Sequence, residues 1–248
     1  MMIGAFTDKG KTREHNEDSY YISDFSASGR GYCIVADGMG GHNAGEVASK
    51  IAIQEIKNNI NHHYKEDMSE QQIEELLISS MKKANTVIFQ KSLEEKKYSG
   101  MGTTAIVCLI HNNDVYIAHV GDSRAYLIRD NQIKQITVDH SVVEELIHNG
   151  SITREEAINH PQKHVITRAL GCEEDIKVDI YKQKCKEKDI LLICTDGLTN
   201  MLTDEEILQV IDNSPDMQRG VEKLVGLSND KGGLDNITVV ALSFTNSI

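Results

Sequence analysis

The chain has 248 residues, 40% of them apolar and 26% charged, with a formal net charge of −12. That length suits one large domain, the apolar share excludes a disordered chain, and the negative balance disfavours a binder of nucleic acid or anionic membrane, which needs clustered Lys and Arg. The N-terminus shows no apolar leader and no run reaches the roughly 18 apolar residues of a spanning helix, so a cytoplasmic protein without membrane insertion is expected. "YCIVA" (32–36) predicts the first strand. A helix is expected over 44–61, burying Val47, Ala48, Ile51, Ala52 and Ile56, and a second over 69–93, with Ile73, Leu76, Leu77, Met81, Ala84 and Ile88 on one stripe. Ser69 with Gln72 fits a capping box for the second.

Strands follow at "TTAIVCLIH" (103–111), "DVYIAHVG" (114–121) and "RAYLIR" (124–129), with "HNND" and "RDNQ" as hairpin turns that imply antiparallel pairing. Residues 140–170 break the pattern. "VVEELIHNG" is helix-like, "TREEAINHPQKH" is polar and interrupted by proline, and the segment reads as a surface flap of about 140–168. "ILLICT" (190–195) and "NITVVALSF" (236–244) are further strands, with short helices between them at 204–212 and 216–227. Of the five cysteines, Cys33, Cys108 and Cys194 lie inside apolar runs and read as small buried hydrophobes in a reducing compartment. With two prolines, no linker and no repeat, residues 1–248 read as a single α+β domain, helices flanking antiparallel sheet.

Asp37, Asp122, Asp196 and Asp235 each sit at a strand end beside Gly or Asn. Singly, such steps are turn signals. Converging at one sheet edge, the carboxylates would repel one another without a cation, and Mg²⁺ or Mn²⁺ takes oxygen ligands. Turns and a cation site therefore both stand as readings. Gly38 allows backbone to approach a ligand, and Arg13 in "REHNED" has the fork that suits phosphate, with Glu17 and Asp18 as further carboxylates. An exposed Arg beside acids is otherwise a solvated surface pair. "GAFTDKGKT" has glycine spacing one residue too long for a P-loop, and no GxSxG or zinc-ligand spacing occurs.

The blocks "TDKGKTREHNEDS", "VADGMGGHNAGEVAS", "SGMGTTAIVCLI", "VYIAHVGDSRAYLIRDNQI", "DHS", "VITRALG", "LLICTDGLTNML" and "DNITVVAL" occur in the order found in the bacterial metal-dependent Ser/Thr protein phosphatases of the PPM family (type 2C). The chain resembles that family from about residue 3 to residue 244. The resemblance implies an α-β-β-α sandwich of two antiparallel sheets flanked by helices. It implies hydrolysis of phosphoserine and phosphothreonine by a metal-activated water at a dinuclear Mn²⁺ or Mg²⁺ centre. Asp37 would bridge the two ions, with the Gly38 carbonyl, Asp196 and Asp235 as ligands, and Asp122 with Asp196 would form a third site. Glu17 and Asp18 match acids that orient water, and Arg13 the arginine that holds the phosphate. Where eukaryotic relatives place a His directly after the DG step, Met39, Gly40 and Gly41 precede His42, so His42 is a candidate acid displaced from the family position. The implied partners are phosphorylated proteins, a Ser/Thr protein kinase among them, and the implied state is a monomer. A catalytically silent pseudophosphatase is the alternative, although no metal carboxylate of the family is missing.

Overall fold

The computed structural model describes residues 1–25, 30–41, 44–112 and 114–244. One sheet runs β1 (Met2–Asp8), β11 (Ile237–Ser243), β10 (Ile190–Cys194), β7 (Arg124–Arg129), β8 (Gln132–Gln135). The other runs β2 (Asp18–Ile22), β3 (Gly31–Met39), β5 (Ala105–His111), β6 (Asp114–Val120), β9 (Asp179–Lys184), with the short β4 (Gly102–Thr103) also paired to β3. Every pairing is antiparallel. The α+β class and the two-sheet sandwich expected from the sequence are what the chain forms.

The layers follow from the apolar periods. α1 (Ala44–His63) and α2 (Glu70–Glu94) lay Ile56, Ile73, Leu77, Met81 and Ile88 on Ile34, Val107 and Tyr116 of the second sheet. α6 (Asp204–Asp212) and α7 (Met217–Asp230) lay Ile207, Val221 and Leu224 on Tyr126, Leu192 and Val239 of the first. Between the sheets, Val35, Ile106 and Ile117 meet Leu127, Leu191 and Val240. Cys33 and Cys108 belong to that inner layer and Cys194 to an outer one, buried as expected, and Cys185 joins the inner layer. The Ser69–Gln72 capping box closes the N-terminus of α2.

Two connections depart from the expected reading. "RDNQ" does make a hairpin, with φ of 50° at Asp130 and 57° at Asn131 as a type I′ turn requires, but its second arm is β8, which the sequence did not announce. β6 and β7 do not pair with each other. Residues 121–123 carry the chain across from one sheet to the other, turning at Gly121 (φ 113°), where a Cβ would strike Thr104. The segment after β8 contains α3 (Val142–His148) and α4 (Arg154–Ile158). Its two roots are clipped together: Ser141 and Ile166 form a bridge, the Val142 amide donates to Val165 O, and the Thr167 amide donates to His140 O. Among the described residues no helix is long and apolar enough to cross a membrane.

Candidate metal and phosphate site

A cavity of about 510 Å³ opens where β3, the 121–123 corner, the end of β10 and the approach to β11 meet. Arg13, Glu17, Asp37, Gly38, Asp122, Asp196 and Asp235 all line it. Asp18 lies behind them, fully buried and opposite Asp37 in the β2–β3 register. His42 falls outside the described residues.

The backbone of Asp37 is held from three sides. Its amide donates to Thr104 Oγ1 (3.0 Å), and its carbonyl accepts from Thr103 Oγ1 (2.8 Å) and the Thr104 amide (2.9 Å). Asp196 opens the one-turn helix α5 (Asp196–Thr199), and Asn200 Nδ2 donates to its Oδ2 at 2.9 Å. Asp235 accepts from Arg13 Nη2 at 2.8 Å. Asn236 fastens the N-terminal loop to this edge: its Nδ2 donates to Lys9 O and His15 O, and its Oδ1 accepts from the Glu17 amide. Asp18 Oδ2 accepts from Thr195 Oγ1 (2.9 Å), just past the end of β10, and from Thr238 Oγ1 (2.7 Å) on the neighbouring β11. Gly38 has a reason different from room for ions. A Cβ there would run into the Gly45 carbonyl at the start of α1 and the Glu17 carbonyl, so glycine lets the helix seat against β3.

The electrostatics are those of an acid cluster short of positive charge. Burial, then the facing Asp18, Asp196, Asp122 and Asp235, raise the Asp37 carboxyl well above its usual range. Burial raises Asp18 to about 7 against its two hydroxyl donors. Burial and Asp196 push Asp122 to about 8. Asp196 rises through burial and Asp235, partly offset by Asn200 and His164, and Glu17 rises through burial. Glu17 Oε1 and Asp18 Oδ1 are buried without a hydrogen-bond partner at full bonding geometry among the described residues, although the Glu46 and Gly45 backbone favours the Glu17 carboxylate. Among the described residues no three Asp, Glu, His or Cys side chains close into a ready-made cage. The set is open-sided, as suits Mg²⁺ or Mn²⁺, which keep several waters. Orphaned carboxylate oxygens and mutual repulsion are what added divalent cations would relieve, so the residues fit such ions.

Each site residue read from the sequence, apart from His42, is thus at or directly behind one cavity. Sequence reasoning missed the groups that hold them: Thr195 and Thr238 under Asp18, Asn236 on the loop, Asn200 on Asp196, and His164, which reaches the cavity from the flap. Only the "DN" of "DNITVVAL" offered any signal among these.

A family model described as protein phosphatase 2C matches residues 8–231. The serine/threonine phosphatase stp of Listeria welshimeri is 38% identical over 237 residues, spanning 94% of this chain and 92% of that protein. The crystal structure of serine/threonine phosphatase Stp1 from Staphylococcus aureus superposes with a TM-score of 0.90 at 36% identity, covering 98% of this chain and 95% of that one. The catalytic domain of the serine/threonine phosphatase PstP, solved in complex with two manganese ions, superposes with a TM-score of 0.83 at 34% identity over 96% of both chains. The order of motifs, the two-sheet sandwich, the acid cavity and these likenesses agree: the chain belongs to the protein phosphatase 2C family, the metal-dependent protein-serine/threonine phosphatases.

Proposed function

We propose that this chain hydrolyses phosphoserine and phosphothreonine in proteins, with two Mn²⁺ or Mg²⁺ ions held by Asp37, the Gly38 carbonyl, Asp196 and Asp235. Asp122 with Asp196 takes a third. Such ions, when bound, supply an acidified water and positive charge against the phosphoryl oxygens. The observation that carries the reading is the set of buried carboxylates, raised in pKa by one another, facing a single cavity.

The chain's own groups do the rest. Arg13 has a half-exposed side chain in an ion pair with Asp235, a pair of small net worth. Once a cation satisfies Asp235, the Arg13 fork is free to turn to a phosphate, where two parallel donors fix its orientation. Glu17, at the cavity wall, would hold a water by accepting a hydrogen bond from it. Asp18, locked by Thr195 and Thr238, keeps its second oxygen for the same floor. The leaving Ser or Thr oxygen needs a proton. His42 and His164 are the candidate donors, and His164 lines the cavity.

The same reading makes residues 1–248 one catalytic domain with 140–168 as its flap, acting as a cytoplasmic monomer that reverses a Ser/Thr kinase, itself among the substrates. Purified protein with Mn²⁺ should release phosphate from a phosphothreonine peptide and stop in EDTA. Full activity of Asp37→Ala would remove the proposed site, and tight phosphopeptide binding without release under Mn²⁺ or Mg²⁺ would favour the silent binder instead.

A further inference from the structure

His140 opens the flap and is 5% exposed, and its contacts lead in two directions. Toward the cavity it grips Gly121 twice. The His140 amide donates to Gly121 O (2.8 Å), and the Gly121 amide donates to His140 Nδ1 (3.0 Å). Gly121 is the turn that throws Asp122 into the cavity. Because Nδ1 accepts, the ring proton sits on Nε2. Toward the flap, that Nε2–H donates to Asp179 Oδ2 on β9 (3.1 Å), and Arg168, at the far root of the flap, donates to Asp179 Oδ1 (3.2 Å). Arg168 Nη1 also lies 3.1 Å from Nε2, but a protonated nitrogen cannot accept, so Asp179 is its partner. The imidazole is stacked on His119, whose ring centroid is 4.7 Å away and which is wholly buried.

We infer that His140 is a positioning residue that couples the seating of the flap to the aim of the Asp122 carboxylate, through Gly121 on one ring nitrogen and Asp179–Arg168 on the other. A side chain serving only to fill space would not need both nitrogens bonded in one fixed tautomer. Flap displacement that pulls Arg168 from Asp179 loosens the Nε2–H contact, frees the ring to rotate about χ2, and lets the Gly121 amide go. Apart from His164, which lines the cavity directly, the flap thus bears on the floor of the site from behind.

The inference rests on the phosphatase reading for its kinetic part only, since amide exchange reads the coupling without turnover. Asn at 140 keeps an acceptor where Nδ1 stands and loses the reach to Asp179. Gln keeps a donor where Nε2 stands and loses the acceptor for Gly121. With p-nitrophenyl phosphate and Mn²⁺, His140→Gln should lower kcat about tenfold with KM within about twofold, and His140→Asn should stay within about threefold, as expected for one hydrogen bond to a group that sets the reacting geometry. The Gly121 amide should exchange at least about tenfold faster in His140→Gln than in His140→Asn. Asp179→Asn, a partly exposed site that should fold, is to speed exchange at 165–167 and at Gly121 together. Equal loss in both His140 variants, an effect on KM alone, or faster exchange at 165–167 in Asp179→Asn with Gly121 unchanged would overturn the coupling.

Discussion

Two groups of buried charge are neighbours at one end of this sandwich, and they are balanced in opposite ways. Beneath the flap, each acid has a base of its own. Arg124 donates from Nε and Nη2 to Asp139 (2.7–3.0 Å), and Asp179 receives His140 and Arg168. Burial would raise Asp179, yet its hydrogen bond from His140 and the nearby Arg168 and Lys177 bring it below the usual carboxylate range. A few residues away, Asp18, Asp37, Asp122 and Asp196 face each other; among the described residues Arg13 at the edge, Arg124 and His164 offset them only in part, and all are raised. One region is neutralised from within and is structural. The other is left unbalanced, and that imbalance is the ground for proposing that it takes cations from outside.

The largest test of this contrast is a substitution that removes one charge from the unbalanced set. Asp37→Asn should cost on the order of 10³-fold in kcat, since it takes away several kcal/mol of charge stabilisation. In the same experiment the ion-free protein should melt higher at pH 7, by about 2–4 °C for each kcal/mol of repulsion relieved. A substitution that disables and stabilises at once is the mark of a functional cluster. If Asp37→Asn lowers the ion-free melting temperature, the two regions are not different in kind.

The balanced region should respond the other way. Arg124→Met leaves Asp139 buried without its partner, and breaking such a pair costs about 3 kcal/mol even with part of the side chain in water. Urea midpoints with and without Mn²⁺ should fall alike, because no ion replaces the guanidinium. Saturating Mn²⁺ on the parent chain is the next test: at a hundredfold excess over its dissociation constant it should add about 2.7 kcal/mol, and EDTA should take it away.

The sequence announced the fold class and named the residues that the structure gathers round one cavity. Asp37, Asp122, Asp196 and Asp235 drew attention as carboxylates at strand ends beside Gly or Asn, and the resemblance to the phosphatase family turned that pattern from a choice between turns and a cation site into named roles. Their supports were not, because Thr195 with Thr238, or Asn236 with Lys9 and His15, are pairs made by sheet register across most of the chain length. The central strands β3, β5, β6, β7, β10 and β11 were found through their apolar runs. β1, β2, β8 and β9 were not, being edge strands with mixed burial; in β9, Lys182 and Lys184 interrupt the apolar run that would mark a strand. The helices α1, α2, α6 and α7 were placed within three residues at each end, since a stripe of period 3.6 sustained over more than two turns is hard to mistake. The four-residue α5 has no such stripe.

The effect that separates the regions most cleanly is in the pH dependence of stability. Asp18 and Asp122 have folded pKa values raised to about 7 and about 8, so in ion-free protein the stability they contribute is full below the unfolded carboxylate range and is lost as pH rises through those values. His119 is the reverse. Burial first, then His140, hold it down to about 3; its ring nitrogens meet no hydrogen-bond partner at full bonding geometry, although the Ser123 backbone favours its proton weakly. Its contribution is complete above the unfolded value of 6.5 and is lost as pH falls toward 3. Each group changes stability by about 1.4 kcal/mol per pH unit inside its window. The windows oppose one another from about pH 4 to 6.5, and from there to about pH 8 only the carboxylates act. Urea midpoints of ion-free protein should therefore decline from pH 6.5 to 8. With Mn²⁺ bound, the carboxylates are held ionised by the cation, the decline should vanish, and the loss on the acid side should remain, as the property of a histidine no ion reaches.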